Sequence, residues 1–327
     1  MSAAKSGVGL EWRGAAGRVV RHRALPAVVG AVGVWVAVAI VGNGNMVGTL
    51  QSGASVGAFV ALTGLGQLFV IAAGNGNIDL SVPYVLTLSA YVASGLVNGH
   101  NSAAFPAVLA VVGVGVAIGV ANAIVILVLG LPPIVGTLAV GFVVETVYLE
   151  VSPHVQGNVG SFIGTIATGR VAGVPYVAVI AVAGAVIVSV TLTRSWFGRQ
   201  VLALGQSRPA AELAGIRTWL ITTATYVICA VTASITGFLL AGYVGGASPD
   251  IGAGYQLGSI AVVVLGGCLV AGGVANSPGV LSASLFITLL VTLTNLIHVS
   301  VGVQQIIEGG IIVLLLSTVS KERVRVT

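Results

Sequence analysis

The chain has 327 residues, of which 57% are hydrophobic and 6% charged, with a formal net charge of +5 and a mean hydropathy of +1.10. A soluble domain stays dispersed with roughly a quarter of its residues charged, so this composition excludes a water-soluble globule and predicts an all-α polytopic membrane protein. Each crossing of a bilayer takes about 20 apolar residues, which allows on the order of ten transmembrane helices in this length.

In chain order, residues 1–24 form a basic N-terminus carrying Arg13, Arg18, Arg21 and Arg23. A single transmembrane domain follows over 25–319, with spans predicted at 25–41, 50–73, 80–97, 105–130 and 133–150, then at 172–193, 218–243, 257–271, 279–297 and 303–319. The first span has the flanks of a signal peptide, but one hydrophobic segment after another follows it, so it reads as an uncleaved helix. The third and eighth adjoin Gly74-Asn75-Gly76-Asn77, Gly266-Gly267 and Gly272-Gly273 and are expected to be broken or re-entrant. Irregular backbone survives at membrane depth only when buried in protein or lining a wet cavity. Residues 320–327 are a basic C-terminus with Lys321, Arg323 and Arg325.

Lys and Arg gather at the two termini and between Arg194 and Arg217, which places all three regions, both termini included, in the cytoplasm. Arg170 is the exception, on the outer side. From Arg23 to Arg170 no Lys or Arg intervenes, so there the topology rests on hydropathy. Five spans in each half would oppose the halves in orientation, the arrangement of an inverted five-plus-five repeat; no internal sequence identity accompanies it.

Small residues recur at close-packing intervals in Gly53 and Gly57, Gly115 and Gly119, and Gly242 and Gly246, suited to packing within the bundle or to a seam with a second chain. Acidic residues within or beside spans are Asp79, Glu145, Glu150 and Glu308, each costly at bilayer depth and therefore a functional candidate. The structural alternatives are a helix cap for Asp79, approach to the outer water for Glu145 and Glu150, and a bundle partner for Glu308. Cys229 and Cys268 lie in apolar runs and read as core residues. His22, His100, His154 and His298 lack ligand spacing, so no metal site is expected. Gly246-Ala247-Ser248 with His298 is the nearest approach to a nucleophile and base, and chance accounts for it. A Walker A motif needs Lys directly after Gly, whereas Lys5 and Lys321 follow Ala4 and Ser320.

The polar stretch 194–217 is the longest cytoplasmic connection. Pro209 suits a first helical turn, predicting a helix over 209–214 ended at Gly215, either a docking knob or a connector that fixes topology. Here the sequence resembles the permease subunits of ribose-type ABC importers, through Gly198-Arg199 and Ala210-Ala211-Glu212-Leu213-Ala214-Gly215-Ile216. Gly76-Asn77-Ile78-Asp79-Leu80-Ser81-Val82 is similar to that family's Gly-Gly-Ile-Asp-Leu-Ser-Val signature, and Pro132-Pro133-Ile134-Val135-Gly136-Thr137-Leu138 to its Pro-Pro-Phe-Ile-Val-Thr-Leu segment. Gly254-Tyr255-Gln256-Leu257, the run from Ile260 through Gly266-Gly267, Gly272-Gly273, Gln304-Gln305 and Glu308-Gly309 follow in order. The likeness spans about 50 to 319. Pro83 stands for a usual Gly, Gln256 and Gly258 for an acidic pair, and Val274–Pro278 departs from an Arg-Gly-Ser stretch, which leaves pentoses, hexoses, polyols, furanosyl signalling molecules and nucleosides open.

The resemblance implies a type II importer-like permease of a bacterial inner membrane, without enzymatic activity of its own and without a cofactor. ATP and magnesium would sit on two separate ATPase subunits seated on the loop at Gly198, Arg199, Ala210, Ala211, Glu212, Leu213, Gly215 and Ile216. A second permease chain, an identical or a different one, and an extracytoplasmic binding protein would complete the assembly, with no nucleic acid. Gln67, Asn122, Asn295 and Gln304 are the candidates for a weakly polar conduit, or for bonds between helices. The competing readings are an ion-coupled secondary transporter or channel working through Asp79 or Glu308 without an ATPase, and a structural membrane scaffold.

Overall fold

A computed structural model describes residues 25, 27–42, 46–155, 157–300, 302–304, 306–307 and 309–310. The expectations for 1–24, 320–327, Gln305, Glu308 and most of the span at 303–319 lie outside the described residues. The helices are α1 Ala27–Val41, α2 Met46–Ala72, α3 Val82–Val97, α4 Ala104–Leu127, α5 Pro133–Val151, α6 Gly160–Thr168, α7 Tyr176–Arg194, α8 Trp196–Gln206, α9 Arg208–Leu213, α10 Thr218–Val244, α11 Tyr255–Leu265 and α12 Ser277–Leu296. Six of them, α2, α4, α5, α7, α10 and α12, are long and apolar enough to cross a membrane, while α1, α3 and α11 are apolar but shorter.

Burial sorts these helices. In their most apolar stretches α2 is 78% and α10 61% buried, against 28% for α5 and α7, so α2 and α10 form the centre and α5 and α7 the periphery. Helices whose outer faces meet lipid gain nothing from hydrophobic contrast with it, so close backbone approach has to hold them together. Gly115 and Gly119 of α4 lie against the backbone of α10 at Val231 and Val227, and Gly53 and Gly57 of α2 lie against Leu289, Thr288 and Ser284 of α12. Gly242 packs on Ile163 and Ala167 of α6. These glycines thus serve packing within the chain.

Two elements break the bundle's regularity. After α2 the chain passes through Gly74, Asn75 and Gly76, all with positive φ (72°, 57° and 72°), and 77–81 runs without helix before α3 starts. Asn77 meets Tyr226, about two turns into α10, and Gly237, much further along α10, packs on Leu86. The first residues of α3 therefore lie part of the way along the bundle, not at its end. In the second half Gly252 lies against the Pro83 carbonyl and Thr87, so α11 begins beside the first turns of α3. The span predicted at 257–271 is cut short: α11 stops at Leu265, Gly267 takes a φ of 87°, and 266–276 folds back to set Gly266 on Gly279 and Val280.

At one end of the bundle α8 and α9 form an elbow between α7 and α10. Val201, Leu204 and Ala211 share a buried cluster with Leu65–Ala73 of the α2 end, residues of α11 and Cys268, which fixes the elbow to the core. At the opposite end a hairpin pairs β1 Arg170–Val171 with β2 Val174–Pro175. Its turn residues Ala172 and Gly173 both have positive φ, as a two-residue hairpin turn requires. Arg170, the exception to the charge pattern, donates from Nη1 to Gln51 Oε1 at 2.7 Å and ties this hairpin to the start of α2.

Candidate functional site

Backbone that leaves a helix inside an apolar bundle must find partners for its N–H and C=O groups; 77–81 finds them in side chains of α5 and α11, and its own polar side chains are bonded from α4 and α10. Leu80 N–H donates to Thr137 Oγ1 of α5 at 3.0 Å, and Gln256 Nε2 of α11 approaches the Leu80 carbonyl at 3.5 Å. Asp79, 1% exposed, accepts from Ser81 N–H at 2.8 Å and from the Ser81 hydroxyl at 2.6 Å. Asn122 of α4 donates to Ser81 Oγ at 2.8 Å and lies 3.3 Å from Asp79 Oδ1. Tyr226 of α10 donates to Asn77 Oδ1 at 3.2 Å.

Asp79 was expected to cap the helix that follows. The N-cap residue is Ser81, without a side-chain cap bond, and Asp79 stands ahead of it, binding the cap residue itself. Its carboxyl still sits at the N-terminal end of α3, where the helix dipole favours negative charge. Among the described residues the ion pair is Arg208 with Glu212 and no other, so Asp79 is held by neutral donors alone.

Gln67 is fully buried and its Oε1 accepts from the Cys229 thiol at 3.3 Å; the thiol also reaches Asp79. Two buried polar atoms here lack a partner, Gln67 Nε2 and Asn122 Oδ1. Gln67 and Asn122 thus join one polar belt with Asn77, Asp79 and Ser81. Asn295 and Gln304 do not. Gly64 of α2 faces Val280 of α12 whereas Gly53 faces Leu289, so the two helices are antiparallel and Asn295, exposed near the end of α12, lies at the opposite end from Gln67. Gln304 accepts there from Thr294 at 3.3 Å.

The remaining motif residues are structural in their contacts. Pro132 is the N-cap of α5 and Pro133 opens it, where a missing N–H costs nothing. Ile78 packs against the core. A Cβ on Gly266 would meet the backbone of Gly279 and Val280. Ser248 and His298 share no hydrogen bond, and among the described residues no group of His, Cys, Asp or Glu could hold a metal ion.

In the elbow, Ser195 accepts from Gly198 N–H at 2.9 Å to cap α8, and Ser207 accepts from Ala210 N–H at 3.4 Å to cap α9. The helix predicted over 209–214 spans Arg208–Leu213, and Gly215 ends it with a φ of 78°. Glu212 Oε1 accepts from Arg208 Nε at 2.9 Å and from Thr218 at 3.1 Å; these hydrogen bonds, Arg208 first, hold its carboxyl below the ordinary value. Arg199 Nη1 donates to the Arg194 carbonyl at 2.9 Å. Gly198 has no room for a Cβ beside Thr191 and Leu192. Ala211 is buried and Ile216 half-buried, whereas Ala210 is exposed and Leu213 is 91% exposed, which leaves an apolar tip at the end of the knob.

Tyr226, Cys229, Thr137 and Gln256 complete the belt without having been singled out as site residues. Thr137 stood inside the Pro132–Leu138 segment, and its pairing across 57 residues with Leu80 carries no local signal. Ser195 and Ser207 did have one, since a Ser directly before a predicted helix is a start signal.

A bundle of membrane-crossing helices, opened inside by a buried polar belt and carrying a capped elbow at one end, has the build of a multi-pass membrane transport subunit. Residues 49–316 match the family model described as branched-chain amino acid transport system / permease component, and the chain belongs to that family. It is 32% identical over 267 residues to the ribose import permease protein of Escherichia coli (strain K12), covering 78% of this chain and 80% of the relative. With the L-arabinose ABC transporter permease protein of Azospirillum brasilense it shares 30% over 283 residues, 83% and 78% of the two chains. With the galactose/methyl galactoside import permease protein of Salmonella typhimurium it shares 29% over 254 residues, 72% and 76%. These relatives are transport permeases, not enzymes. No solved structure matches.

Proposed function

We propose that this chain forms the translocation pathway of an ATP-binding-cassette importer for a monosaccharide. The observation that carries the reading is similarity over 72–83% of this chain to permeases named for ribose, L-arabinose and galactose. Gln67 and Asn122, with spare hydrogen-bonding atoms in the belt, are its inner conduit residues; Asn295 and Gln304 belong to its other mouth. Solute would arrive on an extracytoplasmic binding protein, and two copies of such a permease, identical or different, would enclose the path.

The elbow faces the cytoplasm in this reading, supported by Arg194, Arg199, Arg208 and Arg217 gathered there. Both termini are on that side too, with ten crossings in an inverted five-plus-five arrangement, 25–319 being the permease domain between basic cytoplasmic ends at 1–24 and 320–327. The broken segments at 73–81 and 266–276 are the paired discontinuities of the two halves. Two ATPase subunits, holding ATP and magnesium, dock on residues 198–216, with the exposed Leu213 as their apolar contact.

Reconstitution in vesicles with the ATPase and binding protein tests the reading. Accumulation of radiolabelled D-ribose, L-arabinose or D-galactose that needs both partners and ATP is expected, as is loss of ATPase recovery in a pull-down with the variant Glu212→Arg, Gly215→Trp. Accumulation without any ATPase would instead establish an ion-coupled transporter.

A further inference from the structure

Glu145 lies in α5, roughly 9 Å of helical rise from its end at Val151, and is half-buried. It has no ion-pair partner among the described residues; its contact is the Tyr148 hydroxyl at 3.5 Å. One turn earlier on the same helix, Phe142 is 51% exposed and meets Tyr84 of α3 edge to face, with ring centroids 5.9 Å apart. Tyr84 fits there because α5 has Gly141 under its ring, where a Cβ would press on the ring edge at 2.5 Å, and it lies within electrostatic reach of Glu145. Tyr148 stacks on Tyr91 at 6.0 Å, and Tyr91 in turn bonds Ser152 at 2.7 Å, so the phenol beside Glu145 is rigidly held.

An unpaired carboxylate on a face turned to lipid is strongly disfavoured, and such residues face a bundle interior or a watery cavity. The α5 face bearing Glu145 is therefore wet. Its chemistry is selective as well. Half-exposed aromatic rings offer a flat surface for the C–H face of a ring, and a carboxylate accepts hydrogen bonds from neighbouring hydroxyls. Among the described residues no Lys, Arg or His is paired with Glu145, so none is shown beside it to meet a solute's carboxylate. An amino acid would leave one of its charges unmatched here, whereas a neutral sugar would not.

We propose that Tyr84, Phe142 and Glu145, the last held in place by the buried Tyr148, form a recognition site for a neutral cyclic sugar at the pathway mouth opposite the elbow. This rests on the monosaccharide reading above.

The test uses the complete complex in vesicles with two readouts. First, the Glu145→Cys variant is exposed to a membrane-impermeant cationic thiosulfonate from the binding-protein side, with Val143→Cys, 65% exposed on the same helix, as the lipid-facing control. Cys229 and Cys268 are buried. Labelling at 145 and not at 143, slowed by saturating transported sugar, is expected. Second, Glu145→Gln is expected to reduce sugar uptake about tenfold, the loss of one charge-assisted hydrogen bond. A residue 145 that resists the reagent, or that forms a disulfide with its copy on a second permease, overturns the proposal in favour of a lipid-facing or seam position. Uptake unchanged in Glu145→Gln overturns it while leaving the importer reading intact. A wild-type complex that carries none of the three sugars overturns both.

Discussion

The amide of Asn122 stands 2.8 Å from the hydroxyl of Ser81, 41 residues away in sequence, so a side chain near the end of α4 fastens the backbone that joins α2 to α3. With the carboxylate of Asp79 on the same hydroxyl, the three groups form a closed set in which each is buried. Removing the Asn122 amide leaves buried acceptors short of a donor, at a cost of about 1–3 kcal/mol. Asn122→Ala should therefore lower the thermal midpoint of the detergent-purified chain. Asn122→Asp, which sets a second carboxylate against Asp79, should lower it further. Equal midpoints for wild type and Asn122→Asp would rule out the bonded arrangement.

Thr137 supplies the acceptor for Leu80 N–H. Thr137→Val keeps the shape and removes the acceptor, so it should destabilise by about 1–3 kcal/mol. Thr137→Ser, which keeps the hydroxyl, should stay close to wild type. The contrast between the two, read from chemical unfolding in detergent, separates the hydrogen bond from packing.

Two glycines of the elbow should respond differently to alanine. A Cβ on Gly205 would overlap the Ala72 carbonyl oxygen and the Gly273 nitrogen, both backbone, and no rotamer change relieves that. Gly215 has open space around it but a φ of 78°, which for alanine costs about 1–2 kcal/mol. Gly205→Ala should yield little folded protein, and Gly215→Ala a folded one of modestly lower stability, as measured by size-exclusion yield and melting.

Glu212 gives the elbow an acid limit. Its carboxyl is lowered from the ordinary 4.5 by the hydrogen bonds from Arg208 and Thr218, so the contribution it makes is fully present above that value and fades as pH falls through the lower folded value. The thermal midpoints of wild type and Glu212→Gln should differ by a small, salt-sensitive margin at neutral pH and converge in strong acid. A margin that widened on acidification would contradict the sign.

Much of this arrangement was legible in one dimension. The knob at 208–213 could be read because Pro209, an acid and a terminating Gly stand in the order a short helix demands. The breaks at Gly74–Asn77 and Gly266–Gly273 could be read because glycine clusters do not belong in a plain span. The site was less legible. Gln67 and Asn295 look alike as single polar residues in apolar runs, yet one is fully buried in the belt and the other is exposed at a helix end, a difference set by antiparallel packing of α2 on α12. Asp79 looked like a helix cap because the boundary of α3 falls at Val82, two residues later than a predicted span at 80 suggests. The roles of Thr137 and Tyr226 depend on pairings across 57 and 149 residues, which no local pattern encodes.

Gly74, Gly205 and Gly272 bring three strands of main chain from the α2 end, α8 and the 266–276 fold-back into direct touch, with a Cβ at any of them colliding with the backbone of another. Such a junction has almost no sequence space: nineteen of the twenty amino acids are refused at each point, whatever solute the protein carries. The pathway walls, built from side chains, can drift from one cargo to another by ordinary substitution. Paralogues of different specificity should therefore differ most along the conduit and least at this knot, which makes it the place to graft: exchanging the conduit residues while keeping the three glycines should re-target the transporter without disturbing its hold on the elbow.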